Sequence, residues 1–200
     1  MRRDQLEHAI RAACDVSGDT ELLVFGSQAI LGSHPLAPES LRASIEVDTQ
    51  PKNFPESTDL IDGALGELSL FHQTHGFYVH GVLIEAAVLP EGWDQRTVAV
   101  CDLQGTRGNT GYCLEAHDLA ASKLVAGREK DRVFVATLLL EGLIDGEILL
   151  ERVAGLPVEP ERGDSISRWV RATMEDVGQA AGGRRARHTT IAYVLPCAAR

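Results

Sequence analysis

Apolar residues near the start of the chain recur at the spacing of an amphipathic helix. Over residues 3–14 they lie three or four positions apart, which predicts a helix with one buried face. These residues are Leu6, Ala9, Ile10 and Ala13. The run at 21–25 is almost wholly apolar and predicts a short buried strand. That strand ends at Gly26-Ser27, and residues 28–32 are expected to begin a helix.

A second strand is predicted over residues 44–49, where apolar and polar residues alternate. Ile45 and Val47 take one face of this strand. Glu46 and Asp48 are two positions apart and therefore share the other face.

The middle of the chain predicts one helix followed by two strand regions. The helix covers residues 58–71, and the strands cover 77–90, with a break at Gly81, and 96–103. Residues 105–111 are expected to form a polar loop. The helix over 58–71 offers five apolar residues to the core: Leu60, Ile61, Leu65, Leu68 and Leu70.

Helical spacing dominates the last part of the chain. It runs from 114 to 144, with Gly127 inside it and Gly142 near its end. Two further helices are predicted over 145–156 and 164–177.

This order of elements predicts an α+β (mixed) fold: a small mixed sheet with flanking helices, followed by a helical C-terminal part. We expect residues 1–113 to form the α/β core. Residues 114–180 should form a helical part that completes the active site, and residues 181–200 a flexible tail.

Composition is that of an ordinary folded domain, with 44% hydrophobic and 24% charged residues. No apolar run approaches the roughly 20 residues of a membrane helix, so no membrane partner is expected. The net charge of −10 repels nucleic acid except at a local basic patch, and basic residues cluster in 123–132 and 184–188. The four cysteines are scattered, as expected for reduced thiols in the cytoplasm.

Candidate chemistry lies at the end of the first strand and on the second. The Gly26-Ser27 turn before a helix leaves backbone N–H groups that can hold a phosphate oxygen, although most Gly-Ser pairs are simple turns. Glu46 and Asp48 at ~4 Å would repel each other by about 4 kcal/mol at an effective dielectric of about 20. Mg²⁺ between them would relieve this repulsion. The alternative is a solvated strand face.

A second candidate group lies in the charged segment 115–143. On one continuous helix, Lys123 and Asp131 would share a face. The cations Lys123, Arg128 and Lys130 could then hold a triphosphate beside this carboxylate. The alternative is an exposed helix face with local ion pairs, each worth about a few tenths of a kcal/mol.

Together these motifs resemble the minimal nucleotidyltransferases of the DNA polymerase beta superfamily. Gly26-Ser27, a spacer and then Glu46-Val47-Asp48 resemble that superfamily's Gly-Ser turn before an acidic-x-acidic strand. The segment HDLAASKLVAGREKDRVFV at 117–135 resembles AbiEii-type and related uncharacterised bacterial nucleotidyltransferases. The similarity covers roughly residues 22–140 and implies the α+β fold given above.

The resemblance implies a nucleotide site. Gly26, Ser27 and Lys123 would hold the phosphates of an NTP. Arg128 and Lys130 would assist them.

The resemblance also implies a metal site with one or two Mg²⁺ ions. Glu46 and Asp48 would bind the metal, with Glu85 as the candidate third carboxylate. Asp131 would complete or orient the site. The expected catalytic residues are therefore Glu46, Asp48, Lys123 and Asp131.

The reaction implied is transfer of a nucleoside monophosphate from an NTP to a hydroxyl, with release of pyrophosphate. Several of the similar proteins are toxins of toxin–antitoxin pairs, which implies an RNA acceptor such as tRNA and a cognate antitoxin as partner. Two alternatives stay open: an antitoxin that modifies a hydroxyl of its toxin protein, and a non-catalytic partner-binding module of the same fold.

Three features bear on this hypothesis. The spacer of 18 residues between Ser27 and Glu46 is longer than usual, and Glu46 stands where the superfamily usually has Asp. His72, His75 and His80 fall on a helix end and a strand with no cysteine nearby, which argues against a zinc site.

Overall fold

The computed structural model describes residues 1–189, with side chains described through residue 179. It has the predicted α+β architecture, a five-stranded mixed sheet with flanking helices and a helical C-terminal part. The strands are β1 Glu21–Phe25, β2 Glu46–Pro51, β3 Tyr78–Gly81, β4 Val98–Val100 and β5 Thr110–Cys113. Their order across the sheet is β3-β2-β1-β5-β4.

The strand pairing brings the ends of three strands together. β1 runs antiparallel to β2 and parallel to β5, while β2 runs parallel to β3 and β4 antiparallel to β5. Asp48 in β2 lies opposite Phe25, the last residue of β1, and also opposite His80 in β3. The Gly-Ser turn after β1 therefore lies beside the acidic face of β2.

Eight α-helices flank this sheet in the described part of the chain. They are α1 Arg3–Ser17, α2 Ile30–Ser33, α3 Thr58–Leu65, α4 Leu70–His75, α5 Ala116–Ala126, α6 Glu129–Leu140, α7 Gly146–Ala154 and α8 Pro160–Thr189. One hydrophobic cluster runs from Leu6 in α1 to Val170 in α8. No helix among the described residues is long and apolar enough to cross a membrane.

The first helix follows its predicted pattern. All four of its predicted apolar positions are buried: Leu6, Ala9, Ile10 and Ala13. The helix ends at Gly18, whose φ of 74° is left-handed and whose N–H donates to the Cys14 carbonyl, a frequent way to close a helix.

The prediction of one helix over 58–71 is wrong. α3 ends where the Gly66 N–H donates to the Asp62 carbonyl, and Ser69 caps α4 by accepting a hydrogen bond from the His72 N–H. The break rotates the later residues away from the buried face. Ile61 and Leu65 are buried, whereas Leu68 and Leu70, which follow the break, are exposed. Leu60 is exposed as well, but it lies within α3 and its exposure does not depend on the break.

Other stretches of the chain also differ from the predictions. The loop expected over 105–111 ends in β5, whose backbone pairs with both β1 and β4. The helix expected from 114 to 144 is two helices, because Gly127 has a φ of 69° and closes α5 by donating to the Lys123 carbonyl. Ile45, predicted to share a strand face with Val47, lies just before β2, which begins at Glu46, and is 47% exposed, whereas Val47 is buried.

The long spacer before β2 is folded. It contains a 3-10 turn at Ser27–Ala29, helix α2 and a second 3-10 turn at Glu39–Arg42. Leu41 of the second turn is buried, so this turn is anchored in the core. The predicted tail from residue 181 lies mostly outside the described residues, as do the side chains of the basic run 184–188.

Candidate active site

One cavity of about 690 Å³ gathers most of the predicted site residues. It lies where β1 ends, beside the polar face of β2 and β3, and is closed by α5, by the start of α6 and by the turn at Glu39–Arg42. Its charged and polar lining includes Gly26, Ser27, Glu46, Asp48, His80, Lys123, Arg128, Lys130 and Asp131. The extra spacer residues therefore build one wall of the site, through Ser40 and Leu41.

Gly26 has a backbone conformation that favours glycine over other residues. Its φ is 66° and its ψ is −168°, a region that is essentially restricted to glycine. The Asp48 carboxylate lies directly against its Cα. The turn therefore brings the backbone of Gly26 and Ser27 next to the acidic face of β2.

Two carboxylates and one imidazole converge beside this turn. His80 Nδ1 lies 3.0 Å from Asp48 Oδ1 and 3.2 Å from Glu46 Oε1. One ligand atom from each of the three residues lies within 4.8 Å of the others, and no other group of three such residues occurs in the described part of the chain. Parallel pairing of β2 with β3 explains the cluster, since Asp48 and His80 are opposite in register and face the same side.

The electrostatics of this cluster suit a divalent cation. Burial, and then the neighbouring Asp48 carboxylate, raise the pKa of Glu46 above its ordinary value. The folded protein thus disfavours two negative charges at this place. A divalent cation would remove that repulsion, and the two carboxylates and the imidazole are all established metal ligands.

Lys123 is a buried cation at the last turn of α5. It is 9% exposed, and its Nζ donates to Ser27 Oγ at 2.9 Å and to Asp131 Oδ1 at 3.3 Å. The same Nζ lies 4.6 Å above the ring of Phe134. Burial lowers the pKa of Lys123, and the Asp131 charge offsets part of this shift.

Asp131 joins the two helices that meet at the cavity. It is 1% exposed and accepts hydrogen bonds from Arg128 Nε at 2.6 Å and Arg128 Nη2 at 3.3 Å. Burial alone would raise the pKa of Asp131, but the Arg128 hydrogen bonds and the charges of Lys123 and Arg128 lower it overall. Because the chain turns at Gly127, Asp131 in the first turn of α6 faces Lys123; the predicted continuous helix is wrong here.

Glu85 does not lie with the other predicted metal ligands. β3 ends at Gly81, and Glu85 follows in a 3-10 turn at Ile84–Ala86 with an exposed side chain. Its neighbours Ala86 and Ala87 line the cavity, but Glu85 does not. His80 occupies the position on the third strand where a carboxylate was expected.

Two features of the structure are not predicted by the sequence. The role of His80 depends on the pairing of β3 with β2, which brings Asp48 and Glu46 next to it and which no local sequence pattern indicates. Asp118 is fully buried and binds Arg96 Nε at 2.8 Å and Arg152 Nε at 3.3 Å. This ion cluster ties α5 to α7 and to the segment before β4, outside the cavity.

A mixed sheet with a Gly-Ser turn, paired acids and a buried lysine around one cavity is the arrangement that the resemblance to nucleotidyltransferases implies. The chain belongs to the family described as "Nucleotidyltransferase of unknown function (DUF6036)", whose model matches residues 4–162. This membership supports nucleotidyltransferase activity as a class and does not bear on the AbiEii-type resemblance. No curated protein and no solved structure matches the chain.

Proposed function

We propose that the protein is a metal-dependent nucleotidyltransferase that moves a nucleoside monophosphate from an NTP to a hydroxyl acceptor. The observation that carries this proposal is the 2.9 Å hydrogen bond from Lys123 to Ser27. It places a cation at the Gly-Ser turn, inside the cavity that also contains Glu46 and Asp48. The cavity thus contains both charges that an NTP and its cation require, the positive charge of Lys123 for the phosphates and the carboxylates of Glu46 and Asp48 for the cation.

The phosphate end of the NTP would lie between the Gly-Ser turn and α5. The Ser27 N–H and hydroxyl are hydrogen-bond donors to phosphate oxygens, and Lys123 supplies a point charge. Arg128 and Lys130 are exposed at the cavity rim, where they can reach the outer phosphates. A cavity of about 690 Å³ falls in the range typical of small-molecule sites.

The acidic face of β2 would hold the metal. When bound, a divalent cation would supply positive charge that offsets the charge of the phosphates and of the leaving pyrophosphate. Glu46 and Asp48 fix its place beside Gly26, and Asp131 keeps Lys123 directed at Ser27. The resemblance implies Mg²⁺, as one or two ions.

The reaction forms a bond from the acceptor oxygen to the α-phosphorus. The bond from that phosphorus to the bridging oxygen of the β-phosphate breaks, so pyrophosphate leaves and the hydroxyl proton passes to solvent. Approach in line with the leaving group is favoured when both ends are held. Here Lys123 would hold the leaving end, and the β2 acids would hold the cation that neutralises the phosphates beside them.

The acceptor is proposed by resemblance to be RNA, such as tRNA, as for a toxin. A protein hydroxyl, as for an antitoxin, is the second acceptor class. Both classes can be separated by where the label is recovered.

The test is incubation of the protein with α-labelled NTPs, Mg²⁺ or Mn²⁺, total RNA and cell lysate. We expect label in the RNA fraction, lost in Asp48→Asn and Lys123→Met. Label in the protein fraction would assign a protein acceptor. Absence of label transfer to either fraction would contradict the catalytic proposal, and absence of NTP binding in addition would support a non-catalytic module.

A further inference from the structure

We propose that His80 is the third ligand of the cation and makes this site select a transition-metal divalent ion such as Mn²⁺ over Mg²⁺. The inference rests on the proposed function, because it concerns the metal of the same site. A nitrogen donor thus takes the place of the third carboxylate that the resemblance implies.

The position of His80 is fixed by the sheet. Asp48 and His80 are paired in register between parallel β2 and β3, and Glu46 lies two residues earlier on the same face. One atom, His80 Nδ1, approaches both carboxylates, at 3.0 Å and 3.2 Å. A ligand atom held between two carboxylates is directed at the place where the cation would bind.

The immediate surroundings support a ligand role for His80. The His80 side chain is 41% exposed and lines the cavity, so a cation can reach it from solvent. The exposed Glu85 is outside the cavity lining. The three ligand atoms already lie within 4.8 Å of one another, so coordination needs only small side-chain movements.

The donor set decides the metal preference. Mg²⁺ is a hard cation that takes oxygen ligands in a strict octahedron and retains much of its water. Imidazole nitrogen instead suits first-row transition metals. Two carboxylates and one imidazole should therefore bind Mn²⁺ more tightly relative to Mg²⁺ than three carboxylates would.

The test is direct binding of Mn²⁺ and Mg²⁺ to the full-length protein without NTP. Titration calorimetry and Mn²⁺ electron paramagnetic resonance give the two affinities. Pulsed electron paramagnetic resonance on the Mn²⁺ complex detects a coordinated imidazole nitrogen. We expect tighter binding of Mn²⁺ than of Mg²⁺, with a nitrogen signal. In His80→Asn we expect Mn²⁺ affinity to fall by about tenfold or more, the nitrogen signal to vanish and Mg²⁺ affinity to change much less.

Three further variants sharpen the result. His80→Asp supplies an oxygen in place of the nitrogen and should move the preference back toward Mg²⁺. His34→Asn makes the same change at a histidine outside the cavity lining and should bind Mn²⁺ like the unmodified protein. If Glu85→Gln lowers Mn²⁺ affinity and His80→Asn does not, Glu85 is the third ligand and the inference is overturned.

The outcomes separate this inference from the proposed function. Mn²⁺ bound at Asp48 without a nitrogen signal overturns the role of His80 and leaves a metal-dependent transferase intact. Failure of the protein to bind either cation, with or without NTP, overturns both. A thermal melt of metal-free His80→Asn that matches the unmodified protein excludes unfolding as the cause of lost binding.

Discussion

The Asp48 carboxylate fills the space beside the Cα of Gly26, so that a Cβ built on Gly26 would lie 1.8 Å from Asp48 Oδ2. The two residues belong to different segments of chain, yet each restricts the other. The glycine can turn only because it has a φ of 66°, and the acid can reach the turn only because no side chain is there.

We predict that Gly26→Ala strongly lowers both the rate of transfer and the affinity for metal. The added methyl group must displace Asp48, and the left-handed backbone is strained for alanine, at a cost of about 1–3 kcal/mol. Transfer should fall by about 100-fold or more, since small displacements at a reacting site have effects of this order. Label transfer and Mn²⁺ titration measure these losses.

Gly18→Ala is the matched control for that variant. Gly18 has a φ of 74°, but a Cβ there would meet nothing within 4 Å. It should therefore show the backbone strain alone, as a lower free energy of unfolding with transfer per folded molecule retained. Equal loss of transfer in both variants would contradict the role assigned to the contact with Asp48.

Lys123→Met should bind NTP poorly while remaining folded. Asp131 retains its two hydrogen bonds from Arg128, so the lost lysine does not leave that carboxylate unpaired. NTP affinity should fall by about 30-fold or more, corresponding to at least about 2 kcal/mol, measured by calorimetry with a non-hydrolysable NTP. Lys52→Met, at an exposed lysine paired with Glu21, is the control. Unchanged affinity in Lys123→Met would contradict the phosphate role.

Short-range patterns in the sequence predict much of this site, because they fix its local parts. Alternation placed Glu46 and Asp48 on one strand face, and the Gly-Ser pair marked the turn after β1. The proximity of Lys123 and Ser27 could be predicted only from the family resemblance, since no local sequence pattern relates residues so far apart in the chain. His80 was out of reach because its role depends on strand order. The exposed Leu68 and Leu70 show how one unrecognised helix break misplaces several core residues.

Asp131→Asn should destabilise the protein in a pH-dependent way. The folded-state pKa of Asp131 is lowered, so its contribution to stability is complete above the unfolded value of about 3.9 and is lost as the pH falls through the folded value. Breaking this buried ion pair should cost about 3 kcal/mol near neutral pH. The difference from the unmodified protein should shrink below about pH 3.9.

Urea unfolding across this pH range measures the effect of Asp131. Glu129→Gln, on the exposed side of the same helix turn, is the control and should change stability by less than about 0.5 kcal/mol. A stability difference for Asp131→Asn that stays constant down to low pH would show that packing, not the ionised carboxylate, is responsible.

Glu46→Gln should have the opposite effect on stability and still destroy the site. The folded-state pKa of Glu46 is raised by burial and by Asp48. Its ionisation therefore opposes folding: the penalty is absent below the unfolded value of about 4.3 and grows as the pH rises through the folded value. Metal-free Glu46→Gln should match the unmodified protein at low pH and exceed it near neutral pH, by less than about 1 kcal/mol because solvent screens this half-exposed group. Thermal melts at low and at neutral pH give both comparisons.

Added Mn²⁺ should reverse the order of stability of the two proteins, since only the intact acid pair gains stability from the bound cation. A protein that retains an acid at a destabilising position gives up stability for a ligand. If Glu46→Gln has the same melting temperature as the unmodified protein both with and without Mn²⁺, the proposal that the acid pair is retained to bind a cation is contradicted.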